Sequence, residues 1–166
     1  AIACTLMKQS PENVAGRGTG LDDDGLKRKI SVITHALNVN KPNANNALDV
    51  LAKVGGFEIG GLTGVILAAA ANRKPVVVDG FISTAAAMIA VSLAPTVGDY
   101  MIAAHVSQER GHRLMLEWLG LNPLLDMNMR LGEGTGAALA FHLIEASARI
   151  LREMATFDEA GVSDKE

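Results

Sequence analysis

The stretch KPVVVDGFISTAAAMIAVSL, residues 74–93, predicts a strand that is followed directly by a helix. Three consecutive valines before Asp79 and Gly80 are typical of a fully buried strand. The uncharged, alanine-rich segment behind them approaches the length of a membrane span. Alanine is only weakly apolar, however, and polar side chains and Pro95 interrupt the segment. We therefore expect a helix packed between a sheet and another helix, and no membrane partner.

The segments around this unit alternate between strand and helix in the same way. Residues 100–105, YMIAAH, predict a second buried strand, and residues 109–120 predict a helix. Upstream, Asp22 or Asp23 is expected to cap a helix that runs to about Leu37. Alternating strands and helices favour parallel strands joined by right-handed crossovers. The predicted fold class is therefore α/β, with a doubly wound, mostly parallel sheet and helices on both faces.

The other predicted segments are helices and a tail. The helices are expected at residues 10–15, 47–55, 57–74 and 134–154. Gly55 is expected to end the second of them in the left-handed conformation that glycine adopts easily. Residues 156–166 are expected to form a flexible tail.

Composition narrows the class of protein. The 166 residues, 49% of them hydrophobic, can bury one sizeable core, so residues 1–166 are expected to form a single domain. A net charge of -3 lacks the positive excess that attracts nucleic acids or membrane surfaces, and we expect a small-molecule substrate. Cys4 is the only cysteine, which excludes an internal disulfide and a zinc ribbon and favours a reducing cytoplasm. The first residues do not resemble a signal peptide.

Polar residues are expected to meet where the strands end. Small ligands of parallel α/β sheets bind outside the carboxyl ends of the strands, where Asp79, His105 and the turn LGEGTG at 131–136 should fall. Asp79 could hydrogen-bond a ribose hydroxyl or cap the helix that begins at Gly80, and both interpretations stay open. The other histidines show no HxH or HExxH grouping, so no metal site is expected.

Glu133 stands alone between Gly132 and Gly134 at the start of the last predicted helix. Simple capping is one interpretation, because the helix dipole stabilises an acid at this end. The flanking glycines would also let a planar substrate approach closely, against an apolar wall that includes Leu131. The acid could then act as a general base. The spacing favours neither interpretation over the other.

A second glycine-rich turn, GRGTGL at 16–21, also precedes a predicted helix. Exposed backbone N–H groups at a helix start can cradle a phosphate or a carboxylate. The alternative is a tight turn that leaves Arg17 in solvent. Lys27, Arg28 and Lys29 follow one to two turns into the helix, where one could reach back toward an anion or all could form a solvated face.

Five blocks of the sequence resemble, in order and spacing, the nicotinate-nucleotide:dimethylbenzimidazole phosphoribosyltransferases of cobalamin biosynthesis. They are GRGTGLDDDGLKRK at 16–29, KVGGFEIGGLTGVILAAA at 53–70, PVVVDGFISTAAA at 75–87, RLGEGTGAALA at 130–140 and REMATFDEAGVS at 152–163. The likeness covers nearly the whole chain.

The resemblance implies a reaction and roles for particular residues. A phosphoribosyl group would move from nicotinate mononucleotide to 5,6-dimethylbenzimidazole, with inversion at the anomeric carbon and release of nicotinate. By position, Glu133 would be the general base and Lys29 would pair with the 5′-phosphate. The predicted substrate-binding set is completed by Gly16, Arg17, Gly18, Thr19, Gly20, Asp79, Leu131, Gly132 and Gly134. No cofactor and no metal are expected.

Members of the family are considerably longer than this chain. They carry upstream a Gly-Ile-Gly-Asn-Thr-Thr stretch that cradles phosphate, a further acid and much of the benzimidazole pocket. We expect the chain to be a carboxyl-terminal portion, a truncated Rossmann-like domain that lacks part of the substrate site and pairs as a homodimer. The alternative function is a non-catalytic nucleotide-binding or oligomerisation module.

Overall fold

The computed structural model describes residues 1–18 and 20–162. Over this part the chain forms eight α-helices, four short strands and one 3₁₀ helix, Pro95–Tyr100. The helices are α1 (Ile2–Met7), α2 (Pro11–Val14), α3 (Asp23–Asn40), α4 (Ala47–Val54), α5 (Phe57–Ala71), α6 (Phe81–Leu93), α7 (His112–Leu119) and α8 (Thr135–Glu153). The strands are β1 (Val76–Val78), β2 (Met101–Ala103), β3 (His105–Ser107) and β4 (Leu125–Met129).

The strands are parallel and form two short pairs. Val76 to Val78 of β1 align with Met101 to Ala103 of β2, and β3 pairs with β4. β2 and β3 are consecutive parts of one extended segment, interrupted only at Ala104. The N–H of Ala104 donates to the carbonyl of Val78 at 2.8 Å, and its carbonyl accepts from Leu125 N at 3.0 Å. The predicted α/β class with parallel strands is confirmed, although each sheet has only two strands.

The alanine-rich helix α6 lies at the centre of the core. It contacts α5, α7, α4, α1 and β1, and every residue from Thr84 to Ala90 is buried. Met88, Ile89 and Met115 of α7 have no exposed surface and join α6 to the elements around it. Its small side chains let neighbouring helices approach closely, which agrees with the predicted packing between sheet and helix. No helix in the described ranges is long and apolar enough to cross a membrane.

The helix that follows the first glycine-rich turn has the predicted cap. The Asp22 carboxylate accepts a hydrogen bond from Gly25 N at 2.7 Å, and α3 runs to Asn40. This fixes the start of the helix that carries Lys29.

The end of α4 differs from the prediction. Gly55 has φ -92° and ψ -155°, an extended conformation, so the expected left-handed C-cap is wrong. A Cβ atom at this position would overlap the carbonyl oxygen of Leu51. Glycine is needed here for close approach to the preceding turn of the helix and not for a positive φ.

Two elements were not predicted. No element was predicted for residues 121–130, yet Leu125–Met129 forms β4. Asp126 and Asn128 are poor strand formers, and the strand is largely exposed, so the usual apolar signal is weak. The first residues form α1, whose Ile2, Ala3, Cys4 and Leu6 are buried. At the other end, residues 163–166 of the predicted tail lie outside the described residues.

Candidate active site

A cavity of about 780 Å³ opens at the carboxyl ends of the strands. Asp79 follows β1, Glu109 follows β3, and residues 130–134 follow β4, so the ends of three strands supply part of its lining. The loop after α2 and one face of α3 close the opposite side. Of the residues predicted to bind substrate or act in catalysis, the cavity is lined by Gly16, Gly18, Lys29, Asp79, Leu131, Gly132, Glu133 and Gly134.

Arg17 and Gly20, two other predicted residues, do not line the cavity. One guanidinium nitrogen of Arg17 donates to the carbonyl of Leu21 at 2.8 Å, and another pairs with Asp23. Arg17 is therefore engaged with the start of α3 and does not line the cavity. Gly20 has a φ of +122° in the turn, and it does not line the cavity either. Thr19 lies outside the described residues.

Of the three consecutive basic residues on α3, Lys29 faces the cavity. Its Nζ donates to the carbonyl oxygen of Gly16 at 2.8 Å, across 13 residues of sequence. A Cβ built on Gly18 would lie 3.8 Å from the same Nζ, so Gly16 and Gly18 both lie beside the ammonium group. Lys27 instead pairs with Asp24 on the exposed face at 3.2 Å. This arrangement can present one cation, the Lys29 ammonium group, to an anion in the cavity.

Glu133 lies in a turn of three successive left-handed residues. The φ angles are +77° at Gly132, +59° at Glu133 and +74° at Gly134. Thr135 N donates to the carbonyl of Gly132 at 3.1 Å and closes the turn. The Glu133 side chain is exposed on the open side of the cavity, and within the described residues its carboxylate has no ion pair or hydrogen bond. Leu131 beside it is 72% exposed and borders the opening.

Asp79 makes a contact that neither sequence interpretation anticipated. Its Oδ1 accepts a hydrogen bond from Ala137 N, in the first turn of α8, at 2.9 Å. It gives no side-chain cap to α6, which begins right after it. A carboxylate at the N-terminus of α8 interacts favourably with the helix dipole. Asp79 thus joins the end of β1 to the helix that follows Glu133.

Two buried histidines, His105 and His112, lie near Asp79. His105 lines the cavity and is 1% exposed, with its Nδ1 3.6 Å from Asp79 Oδ1. His112 lies behind it, and the ring centroids are 6.1 Å apart. Sequence analysis placed His105 at the ligand side but assigned it no role. The available signal was a histidine at the end of a predicted buried strand, because that strand end was expected to lie next to the end of the other predicted strand.

His112 is held in one protonation state by its partners. Its Nδ1 accepts from Ser107 N at 2.8 Å, so the proton of the neutral ring is on Nε2. Nε2 lies 2.8 Å from the hydroxyl of Thr84, which itself donates to the carbonyl of Gly80. Burial lowers the pKa of His112 from 6.5 to about 4, and the neighbouring His105 contributes to that change in the same direction. His112 is therefore a neutral, structural link between α6 and β3.

Several residues that line the cavity were not predicted from the sequence. Glu109 lies against Gly16 so closely that a Cβ there would overlap its Oε2. Ser107, Arg130 and Phe81 line the same cavity. Their common feature is position, since each lies at or just beyond a strand end. Among the described residues, no group of three or more His, Cys, Asp or Glu side chains is arranged to hold a metal ion.

Comparisons with known proteins show the family of the chain. A family model described as phosphoribosyltransferase matches residues 1–162. A Syntrophotalea carbinolica protein named nicotinate-nucleotide–dimethylbenzimidazole phosphoribosyltransferase is 61% identical over 163 residues, which are 98% of this chain and 46% of that protein. A protein of the same name from Chloroflexus aurantiacus is 60% identical, covering 99% of this chain and 47% of its own length.

A solved structure is also similar to this chain. The crystal structure of CobT from Thermus thermophilus matches 99% of this chain with a TM-score of 0.93 and 47% sequence identity. The match covers 49% of the CobT chain. The present chain therefore spans about half the length of the relatives it matches.

Proposed function

The chain belongs to the phosphoribosyltransferase family, and from that premise we propose that it takes part in phosphoribosyl transfer to 5,6-dimethylbenzimidazole in cobalamin biosynthesis. The bond between the anomeric carbon and nicotinate breaks, and its electron pair leaves with nicotinate. A benzimidazole nitrogen forms the new bond with inversion, and its other nitrogen loses a proton. The products are α-ribazole 5′-phosphate and nicotinate.

The observation that carries this proposal is the placement of Lys29 and Glu133 in one cavity. Lys29, which lies beside Gly16 and Gly18, supplies a cation that suits the 5′-phosphate of the nucleotide. Glu133 lines the same cavity from the end of β4. The pair supports a nucleotide held at its phosphate by Lys29 and a second substrate, the benzimidazole, deprotonated by Glu133.

Glu133 is the proposed general base. The glycines on both sides leave its backbone uncovered, and no neighbour in the described residues occupies its carboxylate oxygens. A flat heterocycle could approach within hydrogen-bond distance, as proton transfer requires. Benzimidazole is already a nucleophile, so alignment with the anomeric carbon and removal of one proton are the tasks left to the protein.

Replacement of Glu133 by glutamine tests the proposal. In the full-length protein that carries this sequence, Glu133→Gln keeps the shape of the side chain and removes its basicity. We expect the rate of α-ribazole 5′-phosphate formation to fall by about 100-fold or more, since positioned bases contribute roughly that much. Glu145→Gln, an exposed change on the helix that follows Glu133, should leave the rate unchanged. Turnover of Glu133→Gln within a few-fold of the parent would refute the assignment.

A homodimer and a cytoplasmic location belong to the same proposal. Several large apolar side chains along one side of α8 and the residue after it are exposed, among them Leu143, Ile150 and Met154. A face of this kind supports association with another copy, because soluble monomers seldom expose contiguous apolar surface. Sedimentation velocity should detect a dimer. A single monomeric species across micromolar concentrations would contradict it.

The exposed face of α8 also supports a second candidate function, a non-catalytic nucleotide-binding or oligomerisation module. Titration calorimetry with nicotinate mononucleotide separates the two functions. Binding without transfer to dimethylbenzimidazole would favour the module. Transfer by the protein would exclude it.

A further inference from the structure

The first turn of α8 is held by side chains from other elements. α8 has no side-chain cap of its own at Gly134. Instead, Asp79 reaches it from a position 58 residues earlier and accepts the hydrogen bond from Ala137 N. The Asp79 side chain is 14% exposed, so this capping contact is largely shielded from water.

His105 forms the surface on which this turn rests. The first turn of α8 packs directly against the imidazole ring, and only a glycine fits at the point of contact, Gly136. A Cβ there would overlap His105 Nδ1 and would lie 2.6 Å from Cε1 and 2.8 Å from Asp79 Oδ1. Real Cβ atoms do not make such contacts, so the ring sets how closely the start of α8 approaches β3.

The Nδ1 atom of His105 is buried and, within the described residues, has no hydrogen-bond partner. An unsatisfied buried polar atom is unfavourable, which favours a rearrangement that supplies a partner. The acceptor facing it is Asp79 Oδ1 at 3.6 Å, a few tenths of an ångström beyond a hydrogen bond. His112 cannot serve, because both of its ring nitrogens are engaged with Ser107 and Thr84.

The position of Glu133 depends on the same turn. Its carboxylate has no side-chain partner in the part of the chain that the structure describes, so only the backbone of the turn anchors Glu133 at the cavity. That backbone is tied to α8 by Ala138 N donating to the carbonyl of Gly134 at 2.9 Å. Gly136, which contacts the imidazole, is three residues from Glu133. A displacement of the helix start would therefore move the acid.

We propose that His105 is a positioning residue for Glu133. It supports Gly136 by contact, and it orients Asp79 once a shift of a few tenths of an ångström lets Nδ1–H donate to Oδ1; together these contacts fix the first turn of α8. The inference rests on the proposed function, because it assumes that Glu133 is the base. Misplacement of a catalytic group by about 1 Å can lower a rate by about 100-fold without loss of substrate binding.

Two substitutions of His105 provide a matched test. Asparagine places its amide nitrogen near the position of Nδ1 and can still donate to Asp79. Glutamine places its amide near Nε2 and leaves Asp79 without that donor. In the full-length protein we expect kcat of His105→Gln to fall by about 10-fold or more with KM within about twofold, the pattern of a contribution made only in the transition state. His105→Asn should stay within about threefold.

Gly136→Ala tests the same contact from the helix side with His105 intact. The added methyl group should displace the first turn and lower kcat as His105→Gln does. Gly64→Ala is its control, because a Cβ at Gly64 meets no atom within 4 Å and its φ is not in the left-handed region. Equal kcat values in His105→Gln, His105→Asn and the parent would overturn the proposal, as would a normal kcat in Gly136→Ala.

Hydrogen exchange provides a second measurement that does not depend on activity. Amides of residues 135–138 should exchange faster in His105→Gln than in the parent, and at nearly parental rates in His105→Asn. His142→Gln, on the exposed side of α8, should leave them unchanged. If the parent protein shows no transfer, the proposed function fails, while unchanged exchange in His105→Gln would separately refute the support of α8 by His105.

Discussion

The backbone of Glu133 is unusual for its residue type. A φ of +59° lies in the left-handed region, which glycine adopts freely and glutamate adopts only against a steric penalty. Such positions persist where surrounding structure imposes them, and they concentrate at functional sites. Here a glycine on each side relieves crowding, and the anchored start of α8 imposes the conformation. The conformation displays the acid at the cavity opening.

Lys29 offers a test of the opposite side of the cavity. Lys29→Met keeps most of the aliphatic length and removes the charge that lies against Gly16. We expect KM for nicotinate mononucleotide to rise by about 10-fold or more, since a charge-assisted hydrogen bond to phosphate contributes roughly 1.5–3 kcal/mol. The change in kcat should be smaller, because the phosphate is bound equally in the ground and transition states.

Lys27→Met is the matched control for this substitution. Lys27 lies on the same helix with its side chain 77% exposed and paired with Asp24. Steady-state kinetics of both variants in the full-length protein measure KM for nicotinate mononucleotide and show whether the effect is specific to Lys29. Equal effects on KM would show that the basic run acts as a diffuse positive face and would remove the specific role of Lys29.

At the level of elements, the apolar pattern of the sequence predicted the helices and strands that bury a continuous apolar surface. The valines of β1 and the alanines of α6 were predicted from pattern alone, because burial on all sides leaves an uninterrupted apolar run. A cap at Asp22 or Asp23 was predicted from the chemistry of helix starts, and Asp22 forms it. These features depend on near neighbours in sequence, which is why the sequence suffices.

Elements whose conformation depends on distant contacts were predicted poorly. β4 contains Asp126 and Asn128 and exists because Leu125 N and Gln108 N hydrogen-bond across to neighbouring segments. Gly55 is extended because of crowding against Leu51, a steric fact that the glycine itself does not reveal. Helix α1 is short and has no side-chain cap, so its apolar residues carry no start or stop signal.

At the level of the whole molecule, the cavity joins residues that are far apart in the chain. Sequence analysis named Lys29, Asp79 and Glu133 individually, and the general rule for parallel sheets placed two of them at one edge. It could not show that Asp79 caps α8 or that Gly136 rests on His105. Those contacts depend on the relative placement of β1, β3 and α8, which no local pattern encodes.

The stability of the whole fold depends on His112 staying neutral. His112 links Thr84 of α6 to Ser107 of β3, so its protonation would disrupt the hydrogen bond in which Nδ1 is the acceptor. Burial holds its pKa at about 4, below the ordinary 6.5. Below pH 6.5 the unfolded chain binds a proton that the native state does not bind until about pH 4. The contribution is complete above pH 6.5 and is lost as the pH falls toward 4.

The size of this effect can be measured by urea unfolding between pH 7 and pH 4. A pKa difference of this size corresponds to about 3 kcal/mol of unfolding free energy, because each pKa unit is worth about 1.4 kcal/mol. His112→Asn keeps an acceptor for Ser107 N but does not titrate, so we expect it to be less stable than the parent at pH 7 and to lose about 3 kcal/mol less on acidification. His35→Asn, an exposed change on α3, should follow the parent at every pH. Parallel pH profiles for the parent and His112→Asn would show that acid acts on the fold through other groups.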